Sequence, residues 1–232
     1  MMRRFSPQSI ALSLAAPLVA LVFGLGVSSI ALTVTDHVPL DVFRLMWSYG
    51  TETGSLIEMV NLASVYYLAA LAVAITFKAG LFNIGVESQL RLGALFAAWI
   101  GAMVSLPKVF HVLFILIIGA AVGAAWASVA AYLKVKRGVS EVITTIMLNS
   151  IGGALSAYLL SQHFQMVVEG SNNLTTKPLP ESAWIPDLLP VLRKLGIEDV
   201  PGGGPYGLIF LSIAAGVLYW FIVNRTRFGF DL

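Results

Sequence analysis

The stretch "AGLFNIGVESQLRLGA", residues 79–94, interrupts an otherwise apolar chain and decides how the fold is read. Asn83, Glu87, Gln89 and Arg91 fall within nine positions there, beside Gly80 and Gly85. The clean apolar run that follows, Leu92 to Leu106, has 15 residues. At ~1.5 Å per residue it reaches only ~22 Å of the ~30 Å of hydrocarbon a span must cross. The missing depth has to come from the polar stretch, which places it within the membrane's thickness. Charged and amide side chains at that depth are costly unless they face protein or water. Irregular backbone is tolerated there only when buried in protein or lining a cavity. Glycines are the residues at which a helix breaks or backbones approach closely, so Gly80 and Gly85 mark an interrupted helix. A plain loop from Lys78 to Arg91 is the competing reading. The shortness of the following run favours the interruption. Glu87 and Arg91, four apart, are placed to pair on one helix face.

Working outward, the 232 residues are 58% hydrophobic and 11% charged, with a mean hydropathy of +0.86. Soluble domains carry roughly 25% charged residues, so this chain cannot clothe a water-facing surface. The fold class expected is all-α: a polytopic transmembrane helix bundle of about six spans in a single domain, 1–232. Spans are predicted at Ile10–Thr33, Leu56–Phe77, the third interrupted near residues 80–90, Val109–Leu133, Val142–Leu160 and Tyr206–Val223. The first is too long for the ~7–15-residue core of a signal peptide. A long external loop, 163–205, carries Pro178, Pro180, Pro186, Pro190, Pro201 and Pro205. Within it "ESAWIPDLLPVLRKLG" (181–196) predicts a short amphipathic surface helix. The segment Asp36–Ser55, with Trp47 and Tyr49, predicts an interfacial element.

Basic residues orient the spans, because short cytoplasmic loops collect Lys and Arg. A cytoplasmic N-terminus puts Arg3, Arg4, Lys78, Lys134, Lys136, Arg137, Arg225 and Arg227 inside. Arg44, Lys108, Lys177, Arg193 and Lys194 then lie outside, mostly in the long loop, which counts little.

A second polar stripe, Glu141, Thr145, Asn149, Gly152 and Ser156, recurs at helical spacing. It can line a pathway or knit helices together, and the sequence leaves both open. Glu141 suits the N-terminal dipole of its helix. Gly119, Gly123 and Ala127 form a small-residue ridge for close packing. Glu58 and Asn61 are expected to snorkel to the interface.

Several chemistries find no support. There is no cysteine, and His37, His111 and His163 have no ligand spacing, so no metal or other cofactor is expected. There is neither a phosphate-binding G-x-x-x-x-G-K-[ST] loop nor a catalytic constellation, so the chain does not read as an enzyme. The net charge of +2 gives no reason to expect nucleic acid.

Four stretches resemble the permease subunits of bacterial ABC importers for nucleosides and simple sugars, the ribose-type and branched-chain amino acid permease family. They are "FKAGLFNIGVESQLRLGAL" (77–95), "LKVKRGVSEVITTIMLN" (133–149), "TTKPLPESAWIP" (175–186) and "YWFIVNRTRFGFDL" (219–232), in matching order and spacing. The resemblance covers nearly all of the chain after about residue 50. It departs at Ser88, where the family pattern "FNIGVEGQ" has glycine. It also implies further helices beyond Leu232, so the chain looks like an N-terminal portion.

The resemblance implies a bacterial inner-membrane protein moving solute by alternating access. It implies a second homologous permease, ABC ATPase subunits that hydrolyse ATP, and an extracytoplasmic substrate-binding protein docking on the external loops. Lys134, Lys136, Arg137, Arg225 and Arg227 would face the ATPases. Asn83, Glu87, Gln89, Thr145 and Asn149 are the candidates for lining the solute path, since a nucleoside or sugar needs several neutral hydrogen-bonding partners. Two other classes compete. One is an ion-coupled secondary transporter, for which Glu87 is the serious candidate acid; the other is a non-transporting membrane scaffold.

Overall fold

The computed structural model describes residues 7–166, 173–196 and 203–231. Arg3, Arg4, Pro201, Gly202 and Leu232 lie outside them. Two compact units divide the chain, Met1–Leu56 and Ile57–Leu232.

The first unit holds α1 (Pro7–Val34) and α2 (Pro39–Gly50). Ser29 and Thr33 donate their hydroxyls to carbonyls four residues back, which satisfies them without water. Pro39 opens α2, where its fixed φ suits the first turn, and Asp41 sits in that turn against the helix dipole. Trp47 and Tyr49 stay exposed on α2, as an interfacial helix requires.

The second unit contains most of α3 (Thr53–Lys78), α4 (Val86–Gly101), α5 (Lys108–Arg137), α6 (Glu141–Leu159), the short α7 (Leu189–Lys194), α8 (Leu208–Arg225) and α9 (Arg227–Asp231). Five helices among the described residues are long and apolar enough to cross a membrane: α1, α3, α5, α6 with its π-helical extension to Phe164, and α8. The sixth span expected from the sequence is α4. Its 16 residues reach only ~24 Å, and it stops at Gly101 rather than running to Leu106.

What is buried differs from a water-soluble core. Among the described residues the largest fully enclosed side chains are Leu92, His111 and Ser88, and other buried positions include Ser64, Thr144, Thr145, Ser156 and Ser212. Large apolar groups such as Phe110, Ile143, Met147 and Phe210 point outward. Lipid is as apolar as these side chains, so helices associate through small residues and hydrogen bonds instead.

Glycines set the closest crossings. A Cβ on Gly93 of α4 would lie 2.8 Å from the Gly119 carbonyl oxygen of α5, and one on Gly152 of α6 would lie 2.6 Å from Ser88 Cβ. The ridge Gly119–Gly123 therefore serves packing, and Gly93 is its partner on α4. Helices α3 and α8 meet through Ser212 Oγ, which donates to the Ser64 carbonyl at 2.9 Å. Asn61 does not snorkel: its Oδ1 accepts the Tyr206 backbone N–H at 2.7 Å, across from α3 to the start of α8.

The α5–α6 connection is three residues long and turns on Gly138, at φ +66°. Its N–H bonds back to Lys134 O and that of Val139 to Leu133 O, a Schellman closure.

The described parts of the long loop are held at several points. Strands β1 (Gln165–Met166) and β2 (Thr175–Thr176) pair antiparallel, and Phe164 stacks on Trp99 with centroids 4.1 Å apart. The single amphipathic helix expected over 181–196 is not formed. A 3₁₀ turn, Glu181–Ala183, and α7 replace it, separated by an extended stretch through Pro186 whose carbonyl accepts Gly207 N–H. Proline at that position lacks the N–H a continuous helix needs.

His111 is 0% exposed and ties this loop down. The Gly101 carbonyl can only accept, so Nε2 donates to it at 3.0 Å, and Nδ1 accepts the Ser182 hydroxyl at 2.8 Å.

Candidate functional site: a polar turn clamped by two helices

Helix α3 ends where Gly80 takes φ +69°, a left-handed conformation that costs glycine nothing. Gly80 N–H bonds to Phe77 O and Leu81 N–H to Thr76 O, closing the helix end. The irregular segment that follows is Ala79–Gly85, shorter than the break expected near 80–90. Glu87, Gln89 and Arg91 belong to the first turns of α4.

The open backbone of this turn is satisfied by side chains of α6. Ile84 N–H donates to Thr145 Oγ1 at 3.3 Å. Asn149 grips both sides of the α4 N-terminus: its Nδ2 donates to Ile84 O at 2.7 Å, and its Oδ1 accepts Ser88 N–H at 3.0 Å. The stripe on α6 therefore knits helices at Asn149.

Asn83 and Gln89 form a reciprocal amide pair, at 3.3 and 3.1 Å, and Asn83 Oδ1 also accepts Gly85 N–H. A Cβ on Gly85 would lie 3.3 Å from atoms of Asn83, Gln89 and Thr145, so the close approach explains this glycine.

Ser88 is the hidden hub. It is 1% exposed, its hydroxyl donates to Gly85 O at 2.9 Å, and it accepts the Trp126 indole N–H at 3.0 Å. The serine that departs from the family pattern thus gives Trp126 a partner inside the bundle. Neither Ser88 nor Trp126 stands out in the sequence as functional. A tryptophan in an apolar helix carries no signal of where its N–H points.

Beside the turn lies a cavity of about 250 Å³. Asn83, Gln89, Thr145, Thr76, Lys134 and Glu141 supply its polar lining, and Ala127, Ala130 and Ala131 of α5 supply an apolar wall. Lys134 Nζ and Glu141 Oε2 pair at 2.7 Å. Lys134 therefore contributes to this cavity as well as to the basic end of α5.

Three of the five path candidates, Asn83, Gln89 and Thr145, come together in its lining. Asn149 sits behind them on the turn's backbone. Glu87 lies outside, its side chain 70% exposed and paired with Arg91 at 2.8 Å, a contact of little energetic weight. Lys136 and Arg137 are exposed, as are Arg225, which lies over the Trp220 ring at 5.6 Å, and Arg227. Among the described residues no group of His, Cys, Asp or Glu is arranged to hold a metal ion.

Apolar spans, small-residue crossings and a helix broken beside a largely apolar cavity with a few polar groups define a multi-pass membrane helix bundle. The family model for the permease component of the branched-chain amino acid transport system matches residues 55–232, and the chain belongs to this family. It is 33% identical over 93% of its length to a glucose ABC transporter permease protein of Haloferax volcanii, of which the match covers 56%. It is also 33% identical, over 93% of its length and 59% of the relative's, to a guanosine ABC transporter permease protein of Bacillus subtilis. A nucleoside ABC transporter permease protein of Lactococcus lactis is 27% identical over 93% of this chain and 58% of its own length. The chain thus spans a little over half the length of these relatives. No solved structure gives a significant match.

Proposed function

We propose that the chain forms part of the translocation path of an ATP-driven ABC importer for a nucleoside or simple sugar, working by alternating access in a bacterial cytoplasmic membrane. The observation that supports this most directly is the convergence of three neutral hydrogen-bonding side chains, Asn83, Gln89 and Thr145, on a cavity beside a broken helix. Asn83, Gln89 and Thr145 can exchange their mutual bonds for bonds to a hydroxyl-rich or amide-bearing solute. The partners are ABC ATPase subunits facing Lys136, Arg137, Arg225 and Arg227, a second homologous permease, and an extracytoplasmic substrate-binding protein on the loop side. The alternative, an ion-coupled transporter, would rest on Glu87, which lies outside the cavity with its side chain 70% exposed.

Solute uptake by the full-length transporter in proteoliposomes tests the path. Asn83→Leu removes both amide bonds to Gln89, worth about 1–2 kcal/mol, so uptake per transporter should fall about 5- to 30-fold. Asn61→Leu, which touches the α3–α8 contact and not the cavity, should cost less than about 2-fold at equal expression. Equal effects would remove the special status of the turn.

Orientation has its own test, with the N-terminus proposed to be cytoplasmic. These 232 residues contain no cysteine, and Lys136→Cys and Glu181→Cys are introduced singly into a transporter without other cysteines. They should react with an impermeant thiol reagent from opposite sides of the membrane, Lys136→Cys from the cytoplasm. Reaction from one side would overturn the topology.

A further inference from the structure

The sequence assigns Glu141 no more than a helix-dipole role, yet its surroundings tie it to the polar turn. We infer that Glu141 is a positioning residue for transport: with Lys134 it holds the 79–85 turn in place and closes the cavity at the α5–α6 end, and solute passage there requires the pair to part. This rests on the proposed path through the cavity.

Glu141 opens α6 and Lys134 lies in the last turn of α5, on either side of the Gly138 turn. Each charge suits the dipole end it sits on, which keeps both groups ionised, and their attraction draws them together. The Glu141 side chain is 17% exposed and that of Lys134 43%.

Glu141 also faces the turn: its side chain lines the same cavity as Phe82 and Asn83. Its backbone carbonyl accepts the Thr145 hydroxyl at 2.7 Å, and that hydroxyl accepts Ile84 N–H at 3.3 Å, which anchors the start of α6 to the turn. Phe82 and Ile84 flank Asn83. A shift of the α5–α6 hairpin, whose exposed Lys136 and Arg137 lie close by, is therefore transmitted to the residue that lines the cavity.

The test uses Ala130→Cys, a buried position on the cavity wall, in the full-length transporter without other cysteines. Labelling by an impermeant thiol reagent from the side on which Lys136→Cys reacts reads closure with no solute present. It can therefore fail independently of the path reading. Glu141→Gln and Lys134→Gln should each raise the labelling rate about 2- to 5-fold, and the double variant should exceed neither, because one pair is lost in all three. Unchanged rates in either single variant would overturn the proposal, as would effects that multiply, because independent dipole contributions would do that.

A second measurement guards against misfolding. Relative to the same double variant before cross-linking, Lys134→Cys/Glu141→Cys joined by a reducible bifunctional thiol reagent should lose its remaining uptake, with the loss in Vmax and not KM, and return to the uncross-linked level on reduction. Full uptake while cross-linked would also overturn the proposal.

Discussion

Gly93→Val is expected to disrupt the α4–α5 crossing and lower the thermal stability of the detergent-solubilised protein more than any other single glycine substitution proposed here. The added Cβ would meet the Gly119 carbonyl oxygen at 2.8 Å. That atom is backbone inside a helix and cannot rotate away, so the two helices must separate. Overpacking of this kind costs about 1–3 kcal/mol, and displacement of the turn beyond α4 adds to it. The contrast lies on the opposite helix. A Cβ on Gly119 finds its nearest neighbour at 3.5 Å, an ordinary contact, so Gly119→Ala should change stability by less than about 0.5 kcal/mol. Comparable melting temperatures for the two variants would mean that α4 and α5 do not cross at Gly93.

Asn149→Leu should be nearly as severe and should also abolish uptake. Leucine keeps the branched shape of asparagine but removes the partners of Ile84 C=O and Ser88 N–H. Ser88 is buried, so its unsatisfied N–H costs about 1–3 kcal/mol. The affected atoms lie on both sides of the break, so the turn carrying Asn83 loses its anchor. Asn224→Leu is the matched control, since Asn224 makes a single local bond to Trp220 O on an exposed surface of α8. It should alter stability by less than about 0.5 kcal/mol. Uptake in Asn149→Leu within 2-fold of the parent protein would refute the clamp.

The α6 stripe shows where reading a sequence stops. Spacing alone puts Thr145, Asn149, Gly152 and Ser156 on one face, and that face does meet α4. Whether a polar stripe lines a path or holds a neighbour depends on what stands opposite. Opposite Asn149 are the backbone groups of Ile84 and Ser88, more than sixty residues away in the chain. Opposite Thr145 are both the turn and the cavity. One stripe therefore does both jobs, residue by residue.

Apolar run length, the scarcity of charge and the position of Gly80 were enough to determine an all-α membrane bundle with a break after the second long helix. Those properties are local: hydrocarbon thickness sets how many residues a span needs, and a left-handed turn selects glycine. The narrowing of the break to 79–85, the pairing of Asn83 with Gln89, the burial of Ser88 under Trp126 and the pairing of Glu141 with Lys134 were decided only by the tertiary structure. Each depends on the rotation of one helix against another. In lipid that rotation is set by small-residue contacts and single hydrogen bonds across the bundle, which leave no periodic trace in the chain.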